Sequence, residues 1–291
     1  MVFAATAQAM PRTRKARDHI IDVLIEERAP KLAASALWPA IRPALYAFLD
    51  YGKARRMADA IAPMGGRAAL DYCSDLLSLN AEARFLERIP REGRLIVIAN
   101  HPTGIADGVA VYDALKAVRP DIVFYANADA HRVCPAFGEV LIPVEWVEAK
   151  RTRERTRLTL NLTREAMEAG RALVIFPAGR VARRSRSGAL GDPEWAPTAF
   201  SIARKYEAPI APIHMAGPSS DLFHFFNRFS DELRDITLFH ELLNKRGRRF
   251  HLTAGPVVEP HALPHEAAEA CARMKTYIEH ELPADPMRSL A

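Results

Sequence analysis

His101 and Asp107 are residue types that together perform general-base chemistry, and both follow closely on the apolar run at residues 95–99. If they face each other across one tight turn, the carboxylate accepts the proton of one imidazole nitrogen and leaves the other nitrogen free as a base. The pair is a Ser-His-Asp triad without the serine, so the hydroxyl to be activated would belong to a substrate and transfer would be direct. For the pair taken alone, a histidine that caps a turn is the competing structural interpretation.

A second group of chemically suited residues follows the apolar run at residues 173–176, where a turn with Pro177 and Gly179 leads into arginines. These are Arg180, Arg183, Arg184 and Arg186. The planar fork of a guanidinium matches phosphate oxygens, so this segment is a candidate for holding an anionic group of a substrate. For an arginine run on its own, a solvated basic loop and a nucleic-acid contact are the alternatives.

The elements that would position both groups alternate along the chain from Arg94 onward. Short apolar runs predict strands at residues 95–99, 122–126, 140–144, 172–176, 209–213 and 250–258. Amphipathic stretches predict helices at residues 107–118, 153–169, 194–206 and 264–282. This alternation predicts an α/β fold with a mostly parallel central sheet flanked by helices on both faces. Both chemical groups then stand at strand ends, which border the ligand crevice in open α/β sheets.

The first part of the chain has a different pattern. A basic arm ends near Arg17, and the segment from Asp18 to about Asn80 has helical periodicity that prolines interrupt. We therefore divide the chain into residues 1–90, a basic arm with an N-terminal helical subdomain, and residues 91–291, the α/β domain.

The composition suits a globular protein, since 291 residues with 49% hydrophobic side chains can bury a sizeable core. The formal charge of +5 favours anionic partners such as phospholipid headgroups. The three cysteines are widely spaced and form no Cys-x-x-Cys pair, which fits a reducing compartment. Neither an apolar stretch of about 18 residues nor a secretory signal pattern occurs, so we expect a cytoplasmic protein without a spanning helix.

In their order along the chain, these blocks resemble the glycerolipid (lysophospholipid) acyltransferase superfamily. Its Asn-His-…-Asp block corresponds to Asn100, His101 and Asp107, its Phe-Pro-Glu-Gly-Thr-Arg block to residues 176–183, and its Ile-Val-Pro-Val block to residues 210–213. Each block is weak alone, but three on successive strand ends are a specific signal. The resemblance implies transfer of a fatty-acyl group from acyl-CoA or acyl-acyl carrier protein to the hydroxyl of a lyso-lipid or glycerolipid, with His101 as base and Asp107 orienting it.

The resemblance also implies which residues bind substrate. They belong to the same three blocks and are Asn100, Thr103, Gly104, Phe176, Pro177, Gly179, Arg180, Arg183 and Pro212. No metal ion is expected, and no cofactor other than the acyl-CoA or acyl carrier protein that serves as co-substrate.

Two departures from the common family pattern bear on the acceptor. His101 and Asp107 are separated by five residues rather than four, which is more similar to the hemolysin-like and ornithine-lipid-type branch. Ala178 and Arg180 stand where the second block has Glu and Thr, so Arg183 is matched to the arginine of that block. Since these positions help to hold the acceptor in glycerol-phosphate enzymes, the acceptor stays open between lysophosphatidate and other lyso-lipids, such as lyso-ornithine lipid.

Two aromatic segments are candidates for contact with an anionic membrane surface. Residues 37–49 combine Trp38 and Tyr46 with a helical apolar stripe, and residues 222–229 are rich in phenylalanine. Core helices that pack on the sheet are the alternative interpretation of both. We expect a peripheral protein on the cytoplasmic face of the membrane, whose partners are a membrane lipid acceptor and the acyl carrier.

Functions of three other classes compete with acyl transfer as interpretations of the sequence. A catalytically idle lipid- or acyl-carrier-binding protein with the same fold is the main alternative, because the second block is altered. A nucleic-acid-binding protein is suggested by the basic clusters at residues 151–157 and 180–186, but no aromatic residues are interleaved with the arginines, and we expect no nucleic-acid partner. A metal hydrolase is disfavoured, since no second histidine or carboxylate lies at ligand spacing from His101.

Overall fold

A seven-stranded sheet forms the centre of the protein in the computed structural model, which describes residues 18–145, 151–185 and 188–290. The described strands are β1 (Asn80–Arg84), β2 (Leu95–Ala99), β3 (Val123–Asn127), β4 (Leu141–Val144), β5 (Ala172–Ile175), β6 (Arg183–Arg184), β7 (Leu190–Gly191), β8 (Ile210–Ala216) and β9 (Arg249–Ala254). The sheet has the order β1-β9-β8-β2-β5-β3-β4, and its neighbours run parallel except for β8 and β9. The short strands β6 and β7 form a separate antiparallel pair.

Strand β2 lies in the middle of the sheet, and all of its side chains are buried. Leu95 and Val97 belong to one hydrophobic core, and Ile96 and Ile98 to a second core. Successive side chains of a strand point to opposite faces, so these two cores lie on the two faces of the sheet. A strand that is buried on both faces has a continuous apolar sequence, which is what made β2 recognisable.

Helices cover both faces of this sheet. The described helices are α1 (Ile20–Arg28), α2 (Pro30–Ala34), α3 (Trp38–Phe48), α4 (Tyr51–Ile61), α5 (Gly66–Leu77), α6 (Ile105–Leu115), α7 (Asp129–Val133), α8 (Arg153–Glu168), α9 (Thr198–Tyr206), α10 (Asp221–Phe226), α11 (Asp231–Ile236), α12 (Leu238–Leu243), α13 (Ala267–Thr276) and α14 (Leu282–Ala284). Helices α1, α4, α5 and α6 contribute side chains to the core that contains Leu95, and α9 and α13 contribute to the core that contains Ile96. A π-helical turn at Tyr277–Glu281 joins α13 to α14.

The predicted fold class is confirmed, because the sheet is mostly parallel, has helices on both faces and follows an N-terminal helical region. The six predicted strands are present, with ends displaced by a few residues. Strand β1 was not predicted and lies within the segment assigned to the helical subdomain. Its sequence Asn-Ala-Glu-Ala-Arg holds only two small apolar residues, and it forms at the sheet edge by pairing in parallel with β9.

The two aromatic segments each have a buried and an exposed side. In α3, Trp38 is buried, whereas Phe48 is 58% exposed and Leu37, just before the helix, is 65% exposed. Phe225 in α10 is 53% exposed, and Phe229 after that helix is 70% exposed. Within the described part of the chain, no helix is both long enough and apolar enough to cross a membrane.

Candidate active site

The turn after β2 is tied to the neighbouring strand β8 by the side chain of Asn100. Its Nδ2 donates to the carbonyl of Met215 at 2.9 Å, and its Oδ1 accepts from the Met215 amide at 2.7 Å. Asn100 is buried, so these two bonds satisfy polar atoms that would otherwise be costly in the core. The reciprocal pair fixes the point at which the chain leaves the sheet and enters the turn with His101.

His101 and Asp107 meet across this turn, with 2.9 Å between His101 Nδ1 and Asp107 Oδ2. Asp107 is fully buried and also accepts hydrogen bonds from the Thr103 amide at 2.9 Å, the Gly104 amide at 3.1 Å and the Thr103 hydroxyl at 2.5 Å. A carboxylate surrounded by donors accepts from Nδ1, so that nitrogen carries the proton and Nε2 is left with its lone pair. The side chain of His101 is 17% exposed, and a substrate hydroxyl can therefore approach it.

Gly104 is the residue that lets the turn close on Asp107. Its φ of +102° lies in the region that only glycine adopts readily, and a Cβ there would approach Val181 Cγ2 to 3.3 Å. Asp107 follows in the first turn of α6, where the helix N-terminus favours a negative charge. The glycine and the helix start together place the carboxylate beneath the imidazole.

The second predicted block lies directly against the first. The ring of Phe176, at the end of β5, stacks on the imidazole of His101 with 4.6 Å between centroids and 27° between planes. The amide of Ala182 donates to the His101 carbonyl at 2.8 Å. Between these two contacts the chain turns through Gly179, whose φ is +59° and whose amide donates to the Phe176 carbonyl. Pro177 is buried in this turn, and Arg180 is exposed beside it.

Arg183 lies at the start of β6 and is partly buried. Its Nε is inaccessible to solvent and has no hydrogen-bond partner among the described residues. Burial lowers the pKa of its guanidinium, and the nearby positive charges of Arg234 and Arg180 lower it further. In contrast, Arg184 is exposed and bonds the hydroxyl of Ser219. Among the described residues, Arg183 thus has a donor without a partner and lies near charges of both signs, because Asp231 and Asp235 raise the pKa that Arg234 and Arg180 lower. Arg186 lies outside the described residues.

Pro212 is placed differently from the other predicted substrate-binding residues. It is buried in β8 opposite Ile98 of β2, and its carbonyl accepts from the amide of Gly255. It lies inside the sheet rather than among the turn residues around His101. His214 lies in the same strand, where its Nδ1 is 2.8 Å from the Ile278 carbonyl, the contact of a structural histidine.

Asp192 also contacts the turn that holds His101, although sequence analysis did not single it out. Both of its carboxylate oxygens accept from the His101 amide at 3.1 Å, and the indole Nε1 of Trp195 donates to Oδ2 at 2.9 Å. Burial raises the pKa of Asp192 to about 6, although the positive charge of His101 and these hydrogen bonds oppose the rise. The sequence offered only the weak signal of a Gly-Asp-Pro turn before a predicted helix.

Comparison with known proteins identifies the fold around these turns. Residues 80–216, which contain both blocks and Asp192, match the family model described as Acyltransferase. Those residues are an acyltransferase domain of the glycerolipid acyltransferase superfamily.

Two curated relatives of this acyltransferase are lyso-glycine lipid O-acyltransferases. The protein from Phocaeicola vulgatus is 26% identical over 196 residues, which cover 64% of this chain and 67% of the relative. The protein from Bacteroides thetaiotaomicron is 25% identical over 192 residues, with 64% and 68% covered. Among solved structures, the 1-acyl-sn-glycerophosphate (LPA) acyltransferase PlsC from Thermotoga maritima is 14% identical, with a TM-score of 0.48 and 93% of each chain covered.

Proposed function

We propose that this acyltransferase moves a fatty-acyl group from acyl-CoA or acyl-acyl carrier protein to the hydroxyl of a lyso-lipid, with His101 as the general base. The observation that carries the proposal is the His101–Asp107 pair, whose Nδ1 to Oδ2 distance is 2.9 Å, at a strand end of an acyltransferase domain. A buried carboxylate that holds one imidazole nitrogen and leaves the other open to solvent has the geometry that proton abstraction from a hydroxyl requires.

In the proposed reaction the acceptor hydroxyl gives its proton to Nε2 of His101 while its oxygen attacks the thioester carbonyl. A tetrahedral intermediate forms, and the carbon–sulfur bond then breaks. The imidazolium returns the proton to the departing thiolate, so the products are an ester and a free thiol, and His101 is neutral again. Asp107 holds the imidazole in the required tautomer throughout.

Direct transfer, without an acyl-enzyme, is supported by the state of the cysteines. All three are buried, and burial raises the pKa of Cys73 to about 12 and that of Cys271 to about 11. Burial also raises the pKa of Cys134. Since the thiolate is the nucleophilic form, these residues are poor candidates for a covalent intermediate.

For the acceptor we propose a lyso-lipid with an amino-acid headgroup. The two curated relatives are named for a lyso-glycine lipid. In addition, Ala178 and Arg180 replace the Glu and Thr that accompany glycerol-phosphate acceptors in the common family block. The Nε of Arg183 has no hydrogen-bond partner in the described part of the chain, and we assign its guanidinium to an anionic group of the acceptor or of the donor's carrier.

The proposed site of action is the cytoplasmic surface of an anionic membrane. Leu37 and Phe48 on one segment, and Phe225 and Phe229 on the other, are exposed apolar side chains of the kind that insert at the interface. Helix α12 links the two segments. The ring of Phe48 in the first segment stacks on His240 of α12, and α12 packs against α10 of the second segment. The net positive charge supports attraction to anionic lipids.

The proposal is tested by incubating the purified chain with labelled palmitoyl-CoA or palmitoyl-acyl carrier protein and a panel of lyso-lipids, followed by mass spectrometry. The panel contains lyso-glycine lipid, lyso-ornithine lipid and lysophosphatidate, and His101→Ala is the matched control. We expect one lyso-lipid to become acylated by wild type alone. Lipid binding without any thioester consumption would instead support the catalytically idle binding protein, the alternative that Ala178 in the altered second block suggests.

A further inference from the structure

The buried carboxylate of Asp192 is held in place from several sides. Both of its oxygens accept a hydrogen bond from the His101 amide, and one of them also accepts from the Trp195 indole. The main-chain amide of Asp192 donates to Glu279 Oε1 at 2.7 Å, and the other oxygen of Glu279 is bound by Lys275. A network that reaches from the C-terminal helices to the turn after β2 therefore fixes Asp192 beside His101.

The position of Asp192 complements that of Asp107. Asp107 binds the imidazole of His101, whereas Asp192 binds the main chain of the same residue. Asp192 also interacts electrostatically with the side chain of His101, because positive charge on His101 favours the ionised form of Asp192. This attraction is mutual, so ionised Asp192 in turn stabilises the imidazolium that forms when His101 accepts a proton.

We propose that Asp192 is a positioning residue, a second carboxylate that fixes the His101 turn and stabilises the imidazolium during acyl transfer. The inference rests on the proposed function, because it assumes that His101 is the base. Asp192 touches no reacting atom itself and acts through His101.

The charged state of Asp192 makes the inference measurable through pH. Because the pKa of Asp192 is about 6, its carboxyl group loses its proton as the pH rises through this value. The groups that face it are His101 on the catalytic turn, Trp195 in its own loop, and Glu279 with Lys275 from the C-terminal helices. Full activity then requires ionised Asp192 as well as neutral His101, so the acid limb of log kcat/KM should be steeper than a slope of one across the pH range in which Asp192 ionises.

The test compares wild type with Asp192→Asn in assays of palmitoyl-CoA and whichever lyso-lipid of the panel is acylated fastest. We expect kcat to fall by about tenfold to a hundredfold, with little change in KM for either substrate, and the acid limb to lose its extra steepness and approach a slope of about one. A purely structural role would lower the rate by one factor at every pH and leave the slope unchanged. That result would overturn the inference.

Trp195→Phe is the matched second variant, because it removes one donor to Asp192 and keeps the carboxylate. A lost donor to the charged form raises the pKa, so the acid limb should keep its steeper slope and move to higher pH. If Asp192→Asn does not fold, this variant decides, and an unmoved acid limb overturns the inference. The proposed function fails separately, if wild type acylates no lyso-lipid of the panel or if His101→Ala remains active.

Discussion

Phe176 and His101 stack ring on ring, with 4.6 Å between their centroids. Each follows a different strand, and these strands, β5 and β2, are neighbours in the parallel sheet. Parallel strands bring their carboxyl ends to one edge, so two sequence blocks far apart in the chain become the two walls of one site. The contact also restricts the imidazole, because its ring lies against Phe176 while its Nδ1 is bound by Asp107.

Replacing His101 by Ala should lower kcat/KM by at least about a hundredfold, since general-base assistance contributes roughly 10² to 10⁴ in rate. Asp107→Asn should be nearly as damaging, because an amide stabilises the wrong tautomer. His251→Ala is the control, since His251 is an exposed histidine on β9. Steady-state assays of folded proteins check this, and a His101→Ala enzyme that kept more than about a tenth of the activity would refute the assigned base.

Gly104 and Gly108 allow a matched comparison in the turn and helix around Asp107. Gly104→Ala forces a side chain into a backbone with φ of +102° and against Val181, so we expect the free energy of unfolding to fall by about 1–3 kcal/mol. Gly108 lies inside α6, where a Cβ meets no atom within 4 Å, and Gly108→Ala should be neutral or stabilise by about 0.5–1 kcal/mol. Urea denaturation measures both, and equal stability of the two variants would contradict this account of the turn.

Thiol reagents should leave the enzyme active. The pKa values of Cys73 and Cys271 are raised by burial to about 12 and about 11, so both stay protonated and unreactive at pH 8. We expect slow labelling by iodoacetamide in the native state, fast labelling in urea, and unchanged turnover after native treatment. A stoichiometric loss of activity on modification of one cysteine would point to an acyl-enzyme and against direct transfer.

Strands β2 and β5 of the central sheet were predictable because they are buried on both faces. The run Leu95–Ala99 is continuous and apolar, and it ends in the polar turn that holds His101. The pairing of His101 with Asp107 could be anticipated because both lie in one local turn between a strand end and a helix start. Strand β1, in contrast, carries no apolar pattern of its own and depends on β9 for its existence.

The surroundings of Asp192 and Arg183 could not be predicted from the residues near them in the sequence. Asp192 contacts His101 because the loop before α9 lies against the turn after β2, and these two residues are 91 positions apart in the sequence. The environment of Arg183 depends on Arg234, which lies in a helix beyond the matched family region. Pro212 is the opposite case. It was selected by matching a family block, and the structure places it within the sheet rather than in the turns around His101.

Binding to vesicles should depend on the exposed phenylalanines around α10. We expect tighter binding to anionic than to neutral vesicles, weakened by salt, and a loss of about tenfold or more for the double variant Phe225→Ser and Phe229→Ser. Leu160→Ser is the control, because Leu160 is a similarly exposed apolar residue on α8. Sedimentation with vesicles measures the partition, and equal losses for the control and the double variant would exclude this surface as the docking site.

Arg183 should hold an anionic group of one substrate, because its Nε is buried without a hydrogen-bond partner among the described residues. Arg183→Lys keeps the charge but loses the bidentate fork, and a charge-assisted pair contributes roughly 1.5–3 kcal/mol. We therefore expect KM for one substrate to rise by about tenfold or more, with a larger rise for Arg183→Ala. Arg184→Lys should change little, since Arg184 is exposed and already bonded to Ser219. Kinetics with donor and acceptor varied separately identify the substrate that Arg183 binds. Unchanged KM values for both would show that Arg183 binds neither substrate.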